Sequence, residues 1–192
     1  MKIVRSLPEL DIYSVVGAGH AREYMIDNNR YNRGHGPLLQ DPPPGHQALR
    51  RGRVSLANHA YLVTTTTMER QPVFRNFRAG CAAARCFENR ALLGDATMLA
   101  WVLMPDHTHW LVQLGENDPL ASVVNRIKSA SARLANQELA RRGSLWEKAY
   151  HDHALRSEED LRQVARYLIA NPMRAGLVQR LGDYPFWNAV WL

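Results

Sequence analysis

The stretch TMLAWVLMPDHTHWLVQL, residues 97–114, decides the fold because it holds two strands and the turn between them. TMLAWVLM is a continuous apolar run of strand length, and HTHWLVQL is a second apolar run. Pro105-Asp106 between them is typical of a tight connection. The sequence therefore predicts a β-hairpin here, against which the other elements must pack.

The segments on both sides of this hairpin alternate between strand and helix patterns. HAYLVTTTT, residues 59–67, is β-branched and aromatic and predicts a strand, and VFRNFRAGCAAARCFEN, residues 73–89, has helical composition. After the hairpin, Asp118 and Pro119 predict the cap and first position of a helix that runs to Gly143.

LWEKAYHDHAL, residues 145–155, then supplies a fourth strand. The order β-α-β-β-α-β predicts an α+β, ferredoxin-like domain with a four-stranded antiparallel sheet and helices on one face.

One additional C-terminal helix is predicted over SEEDLRQVARYLIANP, residues 157–172. Its apolar residues recur at i, i+3, i+4 and i+7; they are Leu161, Val164, Ala165 and Leu168. Ser157 is the predicted N-cap, with Asp160 three residues on, and Asn171-Pro172 is the predicted end.

Residues 1–53 differ from the rest and predict a poorly ordered, basic and proline-rich extension, with the folded domain over residues 54–192. NNRYNRGHGPLLQDPPPGHQALRRGR, residues 28–53, shows no sustained apolar period. Its last residues include Arg50, Arg51 and Arg53, which form either a basic arm for nucleic acid or a solvated linker.

Charge and composition narrow the class of partner. The chain has 24 Lys and Arg against 18 Asp and Glu, a net charge of +6, which favours a polyanionic partner. Cys81 and Cys86 alone support neither a disulfide framework nor a zinc ribbon. No apolar run of about 18 residues occurs, and Glu9 and Asp11 interrupt any signal peptide, so we expect a cytoplasmic protein with no membrane partner.

His107 and His109 stand one residue apart in the predicted strand. Because side chains alternate between faces, both imidazoles point the same way and can converge on one ion. A neutral imidazole offers a nitrogen lone pair near pH 7. The alternative is a chance pair, since the chain has eight histidines.

Tyr167 and Asn171 lie four residues apart on the last helix, about 40° from each other around its axis and on the flank of its apolar stripe. The phenol is a candidate nucleophile, and the carboxamide oxygen is a candidate hard metal ligand. The alternative is a half-buried core aromatic followed by a helix stop.

Six stretches, in order and spacing, resemble the single-tyrosine transposases of the insertion-sequence-200-like group, and within it the REP-associated tyrosine transposases. The resemblance runs from Arg50 to Leu192. The stretches are GRVSLANHAYLVTTTTMERQPVF, WVLMPDHTHWLV, NRIKSASARLAN, LWEKAYHDHALRSEEDL, YLIANPMRAGLV and DYPFWNAVWL.

The resemblance implies the HUH nuclease fold and an enzyme that nicks and joins single-stranded DNA at hairpin-forming extragenic palindromes through a 5′-phosphotyrosine. It implies Mg²⁺ or Mn²⁺ held by His107, His109 and Asn171, the nucleophile Tyr167, and no nucleotide cofactor. The family has a hydrophobic residue between the two histidines, where this chain has Thr108.

Further residues are predicted with less definite roles. His153 is either an accessory group near the site or part of a structural hydrogen bond. The candidate phosphate contacts, each of which could instead be a solvated surface charge, are Arg50, Arg51, Arg53, Lys128, Arg133, Arg156 and Arg174.

Two other function classes and two assembly states stay open. A domesticated, non-catalytic binder of DNA hairpins would keep the fold and the basic surface without turnover. A ferredoxin-like RNA-binding module is a third possibility, although the paired aromatic strand motifs of base-stacking sheets are lacking. The resemblance permits a monomer or a homodimer that exchanges the tyrosine helix.

Overall fold

A computed structural model describes residues 55–155 and 160–191. The extension predicted over residues 1–53, its three arginines and the predicted N-cap Ser157 lie outside these described residues, as does Arg156. Within the described part of the chain, no helix is both long enough and apolar enough to cross a membrane.

The described residues form five strands, five α-helices and three short 3-10 helices. The strands are β1 (Ala60–Thr66), β2 (Thr97–Leu103), β3 (His107–Gln113), β4 (His151–Ala154) and β5 (Trp187–Ala189). The helices are α1 (Phe77–Ala84), α2 (Arg90–Leu93), α3 (Leu120–Glu138), α4 (Leu161–Ile169) and α5 (Asn171–Arg174). The 3-10 helices are Met68–Arg70, Val73–Arg75 and Leu181–Asp183.

The strands form one antiparallel sheet in the order β4-β1-β3-β2-β5. The first four strands of this order have the predicted ferredoxin-like arrangement, so the fold class is confirmed. The fifth strand was missed, because it has only three residues and begins two residues after Pro185. It pairs with β2 at the sheet edge.

Central strand β3 separates two apolar layers. Trp110 and Val112 belong to the cluster formed with α1 and α3 on one face of the sheet. Leu111 belongs to the cluster formed with Ala165 and Leu168 of α4 on the other face. The additional helix therefore covers the face that α1 and α3 leave open, and the sheet lies between two layers of helices.

Several predicted boundaries were wrong for local reasons. The fourth strand is limited to β4, because the preceding residues contact the rest of the fold through an isolated bridge between Thr67 and Trp146. Asp118 is no cap; its carboxylate accepts hydrogen bonds from Arg126 at 3.0 and 2.7 Å.

At α4 the N-cap is Asp160, whose side chain accepts from the backbone N–H of Arg162. α4 ends at Ile169, and Asn171 begins the separate helix α5, with Pro172 in its first turn.

Lys128 ties α3 to the segment that precedes β4. Its side chain is buried, and Nζ donates to the carbonyl of Glu147 at 2.6 Å and approaches those of Lys148 and Ala149 at 3.4 and 3.5 Å. The lysine was predicted as a phosphate contact. The structure instead uses its ammonium to satisfy backbone carbonyls inside the fold.

Burial lowers the pKa of Lys128 to about 8, while the charge of Glu147 opposes this shift. In the unfolded chain the lysine keeps a pKa of about 10.4. The unfolded state therefore binds the proton more tightly, so burial of the charge destabilises the fold below the folded pKa, and stability rises as the pH increases between the two pKa values.

We predict that the free energy of unfolding of the wild type, relative to Lys128→Met, rises by about 1–3 kcal/mol between pH 8 and about pH 10.5. Urea unfolding followed by circular dichroism at each pH measures this difference. Lys148→Met, which changes an exposed lysine of the same segment, is the matched control and should track the wild type. A pH-independent difference for Lys128→Met would contradict the assignment.

Candidate metal and tyrosine site

His107 begins β3 directly after the two-residue hairpin turn. The turn is closed by the backbone N–H of Met104, which donates to the carbonyl of His107 at 2.8 Å. His107 Nδ1 lies 2.6 Å from Asp106 Oδ1, and the other oxygen of Asp106 lies 3.3 Å from the Arg70 guanidinium. The carboxylate accepts from Nδ1 and so leaves Nε2 of His107 as the nitrogen with a free lone pair.

His109 is held by the neighbouring strand. β1 and β3 pair so that Thr64 lies opposite His109, and Thr64 Oγ1 is 2.8 Å from His109 Nδ1. Burial is the main cause that lowers the pKa of His109 to about 3, followed by the charges of His107, Arg174 and Arg70. The imidazole is therefore neutral near pH 7.

His107, His109 and Leu111 are two residues apart along β3, so their side chains lie on the face of the sheet that α4 covers. Trp110 lies on the opposite face. Their ring centroids are 4.9 Å apart and their planes are nearly perpendicular. Each ring has Nδ1 fixed by a neighbour. The hydrogen-bonded neighbours fix the orientation of the rings, and the two Nε2 atoms are the ring nitrogens that could hold one cation.

Tyr167 of α4 is the exposed tyrosine among those that the structure describes, with 53% of its surface accessible. Tyr61 is buried and accepts a hydrogen bond from the backbone N–H of Leu56, and Tyr184 donates to the carbonyl of Leu103 at 2.6 Å. Burial also raises the pKa of Tyr184. Of the described phenols, Tyr167 is thus the one whose oxygen a large substrate can reach.

Arg174 of α5 connects the tyrosine to the predicted third ligand. Its guanidinium carbon lies 3.8 Å from the centroid of the Tyr167 ring, and its Nη2 donates to Asn171 Oδ1. The charge of Arg174 also contributes to the lowered pKa of His109. Tyr167 and Asn171 therefore both contact the Arg174 guanidinium. This guanidinium lies close enough to His109 for its charge to lower the pKa of the imidazole.

The remaining predicted residues lie farther from this cluster or outside the described residues. His153 is exposed on edge strand β4, opposite Leu62, whereas His151 is opposite Thr64 and so shares the row of His109. Arg133 is exposed on α3, across the sheet from the histidines. The predicted contacts that lie outside the described residues are Arg50, Arg51, Arg53 and Arg156.

Three residues of the site were missed from the sequence: Asp106, Thr64 and Arg70. Asp106 directly precedes the first histidine, so its position was a readable signal for a carboxylate partner. Thr64 and Arg70 depend on strand register and on a 3-10 helix that no pattern specified. In the described residues, no group of three or more His, Cys, Asp or Glu side chains is placed to hold a metal.

The described residues combine a ferredoxin-like sheet, two histidines on its central strand, and an exposed tyrosine on a helix over the same face, which is the arrangement that the sequence resemblance to single-tyrosine transposases predicts. Residues 55–171 match the family described as Transposase IS200 like. The match spans more than half of the chain, and the protein therefore belongs to the IS200-like transposase family.

Individual relatives point to the same group. The chain is 29% identical over 89 residues to the REP-associated tyrosine transposase of Escherichia coli (strain K12), which covers 45% of this chain and 50% of that protein. It is also 28% identical over 98 residues to a protein of Haemophilus influenzae described as a putative REP-associated tyrosine transposase. This match covers 46% of this chain and 56% of that protein. The chain thus spans about half the length of the curated relatives it matches.

A solved structure supports the fold. The REP-associated tyrosine transposase bound to a REP hairpin aligns with a TM-score of 0.56 at 22% identity, over 70% of this chain and 79% of that one. The predicted resemblance to this group is confirmed by these matches.

We predict that tetranitromethane nitrates Tyr167 ahead of Tyr61, because the phenol of Tyr167 is exposed and Tyr61 is 2% accessible. Arg174→Ala should speed nitration of Tyr167 by about twofold or more, since the guanidinium covers one face of its ring. Peptide mass spectrometry after a time course measures both rates. Equal rates at Tyr167 and Tyr61 would show that the phenol is covered.

Proposed function

We propose that this transposase nicks and rejoins single-stranded DNA through a covalent bond between Tyr167 and a 5′-phosphate, with Mg²⁺ or Mn²⁺ as cofactor. The observation that carries the proposal is the convergence of two Nδ1-anchored histidines and an exposed tyrosine on one face of the sheet. A phenol near paired metal-competent imidazoles suits phosphoryl transfer.

The residues present fit a divalent cation. Partial burial lowers the pKa of His109 and keeps its imidazole neutral. In the tautomer in which each Nδ1 donates to its neighbour, both Nε2 lone pairs are available. Asn171 Oδ1 already accepts from Arg174. A carboxamide oxygen has two lone pairs and can keep that bond while it serves as third ligand. When bound, the cation would draw negative charge from the phosphate and help ionise the phenol.

The proposed chemistry is a single displacement at phosphorus. The oxygen of Tyr167 forms a bond to phosphorus, and the bond from phosphorus to the 3′ oxygen breaks. The phenol proton is released to solvent, and the departing 3′ oxygen takes up a proton as a free hydroxyl. The phosphotyrosine retains the bond energy, so a second 3′-hydroxyl can reverse the step without ATP.

We propose that Arg174 would serve this reaction in two ways. Its stacking on Tyr167 and its bond to Asn171 fix both groups relative to each other. It also adds positive charge beside the neutral His109, where a phosphate would approach.

Hairpin DNA is the proposed substrate class. The structural neighbour is described as bound to a REP hairpin, and this chain carries a net charge of +6. Both favour a folded polyanion with a single-stranded flank.

We predict that the protein, incubated with Mn²⁺ and labelled single-stranded DNA carrying the inverted repeats that flank its gene, becomes covalently labelled. Tyr167→Phe should lower adduct formation by at least about 10³-fold, because no other described phenol is comparably exposed. Denaturing gel electrophoresis followed by peptide mapping identifies the labelled residue.

His107→Ala and His109→Ala should abolish the same adduct, whereas His59→Ala should not. His59 is an exposed histidine whose imidazole bonds to the carbonyl of Ala57. Hairpin binding without an adduct under any divalent ion would instead favour the domesticated, non-catalytic binder.

We also predict that Asp106→Asn and Thr64→Val raise the Mn²⁺ concentration for half-maximal cleavage by about 10- to 100-fold, because each removes a partner that orients a histidine. Metal titration of the cleavage rate measures this. Thr97→Val, an exposed threonine at the start of β2, is the matched control. An unchanged Mn²⁺ midpoint in both test variants would contradict the assignment of the two histidines as metal ligands.

A further inference from the structure

A second feature of α4 is a cleft on its other side. The cleft has a volume of about 160 Å³ and lies where α4 meets the end of the chain. Its lining residues are Arg162, Ala165, Arg166, Ala189 and Trp191. None of them belongs to the histidine and tyrosine site.

The cleft and the tyrosine occupy different flanks of one helix. At ~100° per residue, Arg162 and Arg166 are about 40° apart, and Tyr167 is about 100° beyond Arg166. Ala189 belongs to β5, the edge strand beyond β2, whereas the histidines are on β3. The cleft thus lies on a different flank of α4 from Tyr167.

The two arginines form a basic pair that is open to solvent. Both are exposed, and four-residue spacing brings their Cβ atoms to about 6 Å of each other. Within residues 55–155 and 160–191, neither guanidinium forms an ion pair. Two guanidinium groups at this spacing can share the oxygens of one phosphate.

Trp191 supplies an aromatic wall beside this pair. It is half-buried and packs against the apolar cluster under α4, which fixes the position of its indole. A fixed indole next to paired guanidinium groups is the combination that single-strand binding proteins use, with a base on the ring and a phosphate on the cations.

We propose that this cleft binds one unpaired nucleotide of the DNA strand, with its base stacked on Trp191 and its phosphate held by Arg162 and Arg166. The inference rests on the proposed function for its substrate. It adds where one nucleotide of the single-stranded flank would bind, on the flank of α4 that lies away from Tyr167. A fully paired strand could not place a base in the cleft.

The test uses the full chain and a hairpin oligonucleotide with a short oligothymidine flank, with equilibrium binding measured by fluorescence anisotropy. Trp191→Leu keeps apolar packing and removes the stacking surface, and we expect it to weaken binding by about 5- to 150-fold. Trp191→Phe should restore most of the affinity.

The double variant Arg162→Ala/Arg166→Ala should reduce the slope of log affinity against log salt by about 0.7–1.4, the value for one to two phosphate contacts on a single strand. The matched control, Arg85→Ala, removes an exposed arginine next to α1 on the other face of the sheet and should leave binding within twofold.

The length of the single-stranded flank distinguishes binding in the cleft from general electrostatic attraction to DNA. Shortening the flank to a blunt hairpin should weaken wild-type binding to the level of Trp191→Leu and should leave Trp191→Leu unchanged. Equal affinity of wild type, Trp191→Leu and the double arginine variant for the flanked hairpin would overturn the proposal.

The adduct assay keeps the two proposals apart. Tyr167-dependent adducts combined with flank-independent binding would refute the cleft and leave the nuclease standing. Flank- and Trp191-dependent binding without any adduct would support the cleft and refute the nuclease.

Discussion

Burial of strand β3 on both faces is the constraint on which the rest of the structure depends. Trp110 and Val112 fill the layer beneath α1 and α3, while Leu111 fills the layer beneath α4. With a side-chain period of two, this pattern fixes the strand's register, and the same register carries His107 and His109 to the α4 face. The position of the histidines is thus set by core packing rather than by any bond that the histidines make.

The second half of the site depends on a different kind of interaction. Arg174 holds Tyr167 by stacking and Asn171 by a hydrogen bond, and both residues belong to short helices at the surface. These contacts are partly solvated and individually modest. The candidate site therefore joins a pair of histidines on the sheet to a tyrosine and a carboxamide that are held by contacts at the surface.

Strong local patterns explain which parts of the fold and site were predictable. The hairpin around Pro105-Asp106, the helix α3 and the amphipathic α4 have clear periodicity, so the ferredoxin-like order followed from the sequence. Spacing placed the two histidines on one face of the strand, but their role and that of Tyr167 and Asn171 came only from the family resemblance. The single helix expected to carry Tyr167 and Asn171 is broken after Ile169, and the two residues meet through Arg174.

Features that depend on tertiary contacts were not predictable. β5 is too short for a periodic signal, and Lys128 reads as a surface charge until the carbonyls of Glu147 and its neighbours surround it. Thr64 is one of four consecutive threonines, and only the strand register shows which of them meets His109. The roles of Lys128 and Thr64 are therefore set by their tertiary contacts and not by their residue types.

The difference in burial between the two halves of the site has a consequence for how copies of such a gene decay. A one-residue shift in the register of β3 would turn Trp110 to the face of the histidines and disrupt the core. Selection for a folded chain alone therefore preserves this strand. Tyr167 is exposed, and its loss leaves the apolar face of α4 intact. In descendants retained only for binding, the phenol can therefore be lost without loss of the sheet.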